Sequence, residues 1–345
     1  MHMKLIEITE RGLWDSFVKS QPYAQFTQSW AWGEFRKQQG CDIRRFIIMD
    51  SIGDWRAAVQ LEKRQRRFGL SYWFAPRGPI FFAAADKAER HQIIDFLLTE
   101  LKSKPEFKQG IVFWRIEPLL AYSAESKNVF SKKAKWHASL NPANSAVLDL
   151  EPDTAALLAA MHSKTRYNIR VAEKHRVAVR ESTDPKDVKA FLDLYAETGK
   201  RDGFVPQPRD YVQKTFESCL AAKMATLRIA EVDGNIRSAN LEIAYGDTVM
   251  YLYGSSSAAS REAMAPYALH WHAIQQAKAK GFRYYDFGGA NPAEIHSPEY
   301  KTSWEGITRF KTQWGARVWE FIGTWDIPQR PWMYRMLNLK KRALF

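Results

Sequence analysis

The sequence predicts an α/β (α+β) protein of two similarly built domains. Three observations carry that expectation. The second half strings two helices, a three-strand meander, a loop, a helix and a strand in that order. The first half repeats the order with weaker signals. At 345 residues the chain is also long enough for two domains that each bury a core. With 46% apolar and 26% charged residues its balance is globular, which excludes a disordered chain.

In the second half Asp184-Pro185 opens a helix to about Thr198, an N-cap followed by proline in the first turn. A second helix runs from Pro208 to Lys223. Strands follow at Thr226–Val232, Ile236–Ala244 and Thr248–Tyr253, separated by the turn pairs Asp233-Gly234 and Gly246-Asp247. The serine-rich loop Gly254–Ser260 leads to a long helix that Gly281 stops, and the strand Arg283–Phe287 ends at Gly288-Gly289. In the first half helices are expected at Trp14–Ser20 and Ser29–Gln39, and strands at Ile43–Asp50, Trp55–Arg64 and Leu70–Phe74. Asp86 caps a helix to about Ser103, and the strand Ile111–Ile116 ends at Glu117-Pro118. This is the element order of the GNAT acyltransferase fold. Each half therefore reads as a GNAT-like domain, and such a pair is expected to leave a cleft, the usual place for a large substrate.

Charge narrows the partners. Lys and Arg total 51 against 38 acids, a net +13, an excess that draws polyanions such as RNA, nucleotides or an anionic membrane face. Cys41 and Cys219 share no motif, so neither a disulfide scaffold nor a metal site is expected, and a reducing cytoplasm is the default. The start MHMKLIEITERG lacks the apolar core of a signal peptide. The most apolar stretch, Ser71–Ala85, is broken by Pro76, Arg77, Gly78 and Pro79, so no membrane span is expected.

The segment joining the halves passes into SKTRYNIRVAEKHR, where Arg166, Arg170 and Lys174 recur at i, i+4 and i+8 on one helical face. Six basic residues stand against the single acid Glu173 between Lys164 and Arg180. A solvated basic face and a stripe that tracks phosphates both fit.

No Ser-His-Asp set, P-loop, HExxH or GxGxxG is present, and His270 and His272, beside Trp271, are better explained by packing than by catalysis. An acyl-CoA enzyme of this fold would carry a glycine-rich pyrophosphate loop after the third meander strand. Here the closest stretch, Arg261–Ala265, has Met264 where close backbone approach needs glycine.

Four segments resemble the Fem family (FemABX) of aminoacyl-tRNA-dependent peptidoglycan bridge enzymes. They are FTQSWAWGEFRKQQG at 26–40, YWFAPRGPIF with FWRIEP at 72–81 and 113–118, KTRYNIRVAEK at 164–174, and YLYGSSS…YDFGG…GITRFKTQWG within 251–315. They keep the family's order and span nearly the whole chain. The resemblance implies two GNAT-like domains, and the lack of a heptad-bearing insertion implies the armless, FemX-like type. It also implies a C-terminal segment returning to the first domain, hence residues 1–150 plus 316–345 for the acceptor precursor and 151–315 for the aminoacyl-tRNA side.

Carried over position by position, the resemblance puts Phe310-Lys311 at the reaction centre, with Lys311 stabilising an oxyanion. It gives Arg36 (or Lys37, one residue on) and Arg209 (or Arg201) to the acceptor's diphosphate, and Tyr253 to the substrate cleft. Glu117 stands where relatives carry an aspartate, as a base for the amine or as part of a structural salt bridge, for instance with Arg115. Lys164, Arg166, Arg170 and Lys174 become candidate tRNA contacts.

The expected partners are aminoacyl-tRNA as co-substrate and UDP-MurNAc-pentapeptide or lipid II as acceptor, with no metal, no bound cofactor and no DNA. The expected location is the cytoplasm, with Lys340, Lys341 and Arg342 able to touch the inner membrane face. Three alternatives stand beside this: an acyl-CoA-dependent N-acyltransferase, a non-catalytic RNA or precursor binder, and aminoacylation of a small metabolite.

Overall fold

The computed structural model describes residues 2–66, 69–131, 134–137 and 139–342. The chain divides into two compact units, Met1–Ala143 with Glu320–Phe345, and Asn144–Trp319.

Unit 1 contains β1 (Lys4–Glu7), α1 (Arg11–Ser20), α2 (Trp30–Gln38), β2 (Asp42–Met49), β3 (Trp55–Gln65), β4 (Ser71–Ala75), β5 (Ile80–Phe81), α3 (Lys87–Ser103), β6 (Ile111–Ile116), α4 (Ala124–Ser131) and β7 (Lys135–His137). Unit 2 contains β8 (Asn144–Asp149), α5 (Thr154–Ala160), α6 (Ser163–Lys174), β9 (Ala178–Ser182), α7 (Pro185–Asp202), α8 (Arg209–Ala221), β10 (Ala225–Val232), β11 (Asn235–Tyr245), β12 (Thr248–Ser256), α9 (Ala265–Ala279), β13 (Tyr284–Gly289), α10 (Glu305–Thr312) and β14 (Arg317–Glu320). The chain then returns to unit 1 as β15 (Thr324–Pro328) and α11 (Pro331–Arg342). The side chains of the basic run 340–342 lie outside the described residues.

The two sheets share one plan. Their orders are β1-β2-β3-β4-β6-β15-β7 and β9-β10-β11-β12-β13-β8-β14. The fourth and fifth strands of each run parallel, and each is flanked by antiparallel neighbours. The sequence places the first domain's boundary at residue 150, whereas β8 pairs antiparallel with β13, with Asp149 opposite Tyr284, so residues 144–150 belong to unit 2. Likewise β14, expected in the returning segment, edges unit 2 beside β8.

Local sequence explains the helices. Asp86 caps α3 by accepting from Glu89 N at 2.8 Å, and Ile93, Leu97 and Leu101 recur along its buried face. Each such side chain is worth about 1.5–3 kcal/mol in removed apolar surface. They meet Trp73, Trp114 and Trp325 in the core of unit 1. Asp184 caps α7 in the same way, and Gly203, at φ 74°, closes it. Among the described residues of unit 2 this 18-residue helix is the longest, so no long helical arm projects from it. No described helix is long and apolar enough to cross a membrane.

The QSWAW segment proves to be scaffold. Ser29 caps α2 through Trp32 N at 3.0 Å, and the fully buried Gln28 bonds Gln60 N at 2.8 Å and the Pro76 carbonyl at 2.7 Å. Arg45 reaches Gln60 Oε1 at 2.7 Å across α2, where Gly33 leaves the room. A Cβ at Gly33 would stand 2.1 Å from Arg45 Nη2.

Candidate active site

In unit 2 the parallel pair comes apart. β12 and β13 are in register only from Thr248/Tyr284 to Met250/Asp286, yet β12 continues to Ser256 and β13 to Gly289. In unit 1 the corresponding β4 and β6 stay paired to their ends at Ala75 and Ile116. The splay in unit 2 opens a cavity of about 460 Å³, lined from β11, β12, β13, α7, α9 and α10.

A bulge shapes its walls. Leu241 opposes Tyr253 while Glu242 opposes Tyr251, which leaves Leu252 as an extra residue on β12. Tyr251 and Tyr253 therefore leave the sheet on opposite faces. Tyr253 packs toward α7, with its ring 5.5 Å from Tyr195. Tyr251 packs toward α9, edge-on to His270 at 4.7 Å. Gly254 lies opposite Asn240 and makes room for Tyr251, since a Cβ there would stand 1.6 Å from the phenolic oxygen. Burial raises both tyrosines above the ordinary phenol range, so both are neutral donors.

Lys311 sits in α10, 5% exposed, and donates to the Gly289 carbonyl at 2.7 Å. Desolvation lowers its pKa to about 8, opposed by the nearby Asp286 carboxylate. Asp286 is fixed in turn, accepting from Gly288 N at 2.7 Å and from the Ser145 hydroxyl. Phe310 lines the same cavity and packs on Tyr267 and Trp314.

Behind this wall runs a buried polar chain. His270 faces Tyr285 OH at 3.2 Å, and Tyr285 donates to Glu242 at 3.0 Å. Arg228 binds Glu242 at 3.2 Å and His272 Nδ1 at 2.9 Å. Burial first, then the Lys311 and Arg228 charges, push the His270 pKa down to about 3, so a neutral imidazole lines the cavity.

The structure brings three sequence candidates, Lys311, Phe310 and Tyr253, to one cavity. The two arginines weighed for the acceptor's phosphate in this unit part company. Arg209 pairs with Asp193 at 2.5 Å on the exposed side of α7 and α8. Arg201, the reserve, reaches the cavity wall through Ser256 Oγ at 3.1 Å while pairing with Asp202 at 2.8 Å.

Lys164, Arg170 and Lys174 are exposed on α6. Arg166 instead turns back to close α5, donating to the Ala159 carbonyl at 3.3 Å and to Met161 O. The start of α6 is tied to the end of α10, because Gln313 O accepts from His162 N at 2.9 Å and Thr165 Oγ1 at 3.2 Å.

Two candidates lie in unit 1. Arg36 is paired with the buried Glu62 at 3.2 Å, a carboxylate it shares with Arg64 at 2.7 Å. The fallback Lys37 pairs with Glu34 at 3.0 Å. Glu117, 4% exposed, accepts from Asn141 Nδ2 at 2.6 Å and Thr324 Oγ1 at 2.8 Å. Arg115 is not its partner: its guanidinium is held by Asp326 at 2.6 and 2.8 Å.

Sequence reading missed Asn240, Tyr251, Tyr195 and Asp202 as cavity residues, and set His270 aside as packing. A signal was present for the first of these. Ser238, Asn240 and Glu242 place three polar groups on one face of a strand whose other face, Ala239 and Leu241, is pure core.

Fold and site together define a tandem acyltransferase of the GNAT type. Residues 159–302 match the acetyltransferase (GNAT) domain model, and residues 9–139 match the model of the FemAB family. The UDP-N-acetylmuramoylpentapeptide-lysine N(6)-alanyltransferase of Weissella viridescens is 24% identical over 290 residues, 80% of this chain and 83% of that protein. The lipid II:glycine glycyltransferase of Staphylococcus aureus is 21% identical over 405 aligned positions, covering 96% and 94%. The crystal structure of FemX superimposes with a TM-score of 0.82 over 97% of this chain and all of that one; at 19% identity it speaks for the fold alone. In sequence the chain is similar to the Fem family, by the family model over residues 9–139 and by these relatives along most of its length.

Proposed function

We propose that this enzyme moves an aminoacyl group from charged tRNA to the stem-peptide amine of a peptidoglycan precursor, UDP-MurNAc-pentapeptide or its lipid-linked form. The observation that carries the reading is the buried Lys311 on the wall of a cavity opened between two parallel strands. The acceptors named for the relatives, a lysine of UDP-N-acetylmuramoylpentapeptide and lipid II, support the acceptor class.

The chemistry needs no covalent enzyme intermediate. The neutral acceptor amine attacks the carbonyl carbon of the 3′-terminal ester, and the carbonyl oxygen gathers negative charge. The Lys311 ammonium, in a site sheltered from water, stabilises that oxyanion by about 3 kcal/mol. Collapse breaks the ester C–O bond and forms the amide. The nitrogen loses its proton and the departing ribose hydroxyl gains one. The ester is already activated, so orientation and oxyanion stabilisation suffice.

In this reading unit 2 holds the donor. The exposed Lys164, Arg170 and Lys174 meet RNA phosphates, while Phe310 and Tyr253 line the donor's cavity. Arg36 in unit 1 contacts the acceptor diphosphate, and Arg201 or Arg209 supplies a further phosphate contact. Glu117 stands as the carboxylate that orients the amine or takes its proton.

The test is a transfer assay with a pool of radiolabelled aminoacyl-tRNAs and UDP-MurNAc-pentapeptide or lipid II, with labelled acetyl-CoA run in parallel. Ribonuclease-sensitive movement of label from tRNA to precursor is expected. Label moving only from acetyl-CoA would overturn the proposal.

A further inference from the structure

The helix α11 carries an outer face that the fold leaves uncovered. Its inner face is packed: Met333, Tyr334 and Leu337 lie against Tyr72 and Phe113 of β4 and β6. The Tyr334 ring stands 5.4 Å from that of Phe113, and its hydroxyl donates to Asp326 at 2.9 Å. The residues between these point the other way. Trp332 is 64% exposed and Met336, one turn on, is 60% exposed, with the exposed Arg335 beside them. A tryptophan and a methionine above one another on an outward face give the helix a second apolar edge that no core requires.

Charge decides what covers it. From Ile327 to Phe345 the chain has five basic residues, Arg330, Arg335, Lys340, Lys341 and Arg342, and no acid. The last three fall in the closing turn of α11. Arg330 is exposed at its start, with Nη1 3.8 Å from the Met333 sulfur. Arg66, also exposed, lies over the Tyr72 ring at 5.2 Å, beside the seat of the helix. The acid that α11 touches, Asp326, is buried and held by Arg115 at 2.6 and 2.8 Å, so it gives the outer surface no negative charge. An apolar edge inside a basic margin matches the boundary between anionic headgroups and acyl chains, where tryptophan is favoured and each lysine or arginine adds attraction. RNA would meet the charges but leave the Met336 side chain without a stacking partner. At 12 residues α11 is too short to cross a bilayer, so a membrane contact through it lies in the interfacial plane.

We propose that the outer face of α11 docks on an anionic lipid surface, with Trp332 and Met336 entering the boundary of headgroups and acyl chains and Arg330 and Arg335 among the headgroups. The contact is peripheral and reversible, since one short amphipathic helix holds a protein only weakly. It stands apart from the transfer chemistry, and its failure would leave the functional reading intact. It bears on the acceptor, because a protein held at the lipid surface meets a lipid-linked precursor at a raised effective concentration.

The experiment is co-sedimentation of the full chain with vesicles of equal parts phosphatidylglycerol and phosphatidylcholine, and with vesicles of phosphatidylcholine alone, over a range of salt. The wild type is expected to sediment with the anionic vesicles, to be released as salt rises, and to bind the neutral ones about tenfold more weakly. Trp332→Ala combined with Met336→Ala should weaken anionic binding by about tenfold without changing its salt response. Arg335→Gln should weaken it by about fivefold and make the salt response shallower. These side chains are exposed, so the variants should melt with the wild type, which separates lost docking from lost folding. A wild type that stays in the supernatant, or a double variant that binds the anionic vesicles as tightly as the wild type, would overturn the proposal. So would a dimer in solution that the double variant dissolves, which gives the face to a second copy of the chain. Binding of tRNA that falls in the double variant while vesicle binding holds would give it to RNA instead.

Discussion

The Lys311 ammonium donates to the Gly289 carbonyl 2.7 Å away, which ties the last turn of α10 to the end of β13 where that strand has left its parallel neighbour. The contact fixes a cation at the point where backbone pairing stops. It also leaves the ammonium further N–H groups to direct elsewhere.

This placement fixes a pH dependence. Burial lowers the Lys311 pKa to about 8, so below that pH the residue is mostly ammonium and above it mostly amine. An oxyanion needs the cation, hence kcat at saturating substrates should fall as pH rises through about 8. Lys311→Arg holds its charge to far higher pH and should remove that descending limb even at a lower absolute rate. A limb that instead rises through this range, and disappears in the arginine variant, would mean that the neutral amine is the working form.

The helix α6 separates two kinds of basic residue. Lys164, Arg170 and Lys174 are exposed, so replacing each with Ala should lower the salt sensitivity of kcat/KM for charged tRNA, by about 0.7–0.9 in the log–log slope. Arg166 closes the end of α5, so Arg166→Ala should cost about 1 kcal/mol of stability and leave the slope alone. Salt titrations of the kinetics beside denaturant melts decide the matter. A uniform response of all four residues would contradict the assignment.

Gly254→Ala probes the aromatic wall. The new methyl would meet the Tyr251 hydroxyl at 1.6 Å, and the ring cannot retreat without disturbing His270. Stability should drop by about 1–3 kcal/mol, and the donor KM should rise while the acceptor KM holds. A variant with wild-type donor KM would show that Tyr251 does not shape the donor site.

Much of the fold can be read locally. The Asp233-Gly234 turn adopts φ 50° and 72°, as a two-residue hairpin requires, and Ser29, Asp86 and Asp184 cap the helices that follow them. The edge strands are harder. β9 has mostly exposed residues with no alternation, and β8 becomes a strand only through its partners β13 and β14, both more than 130 residues on. β12 runs on past Tyr253 because its serines pair with β11, where composition alone suggests a loop.

The site is less legible still. Phe310-Lys311 and Tyr253 come from family likeness, but the cavity they share arises from a strand splay that no local pattern records. Helix position favours Arg209 over Arg201, and the partners Asp193 and Ser256 that distinguish the two are fixed by tertiary packing. Met264, which stands where a pyrophosphate loop would have glycine, adopts φ 51°, so the chain keeps a left-handed turn there with a bulky side chain on it.

The most direct test of Lys311 as the oxyanion-stabilising group is the steady-state kinetics of Lys311→Ala with charged tRNA and the muramyl-pentapeptide precursor, alongside equilibrium binding of each. The account predicts a fall in kcat of about 10²–10³-fold, with both affinities within a few-fold of the wild type. Turnover at saturation that survives while donor or acceptor binding collapses would make Lys311 a binding residue and contradict the account.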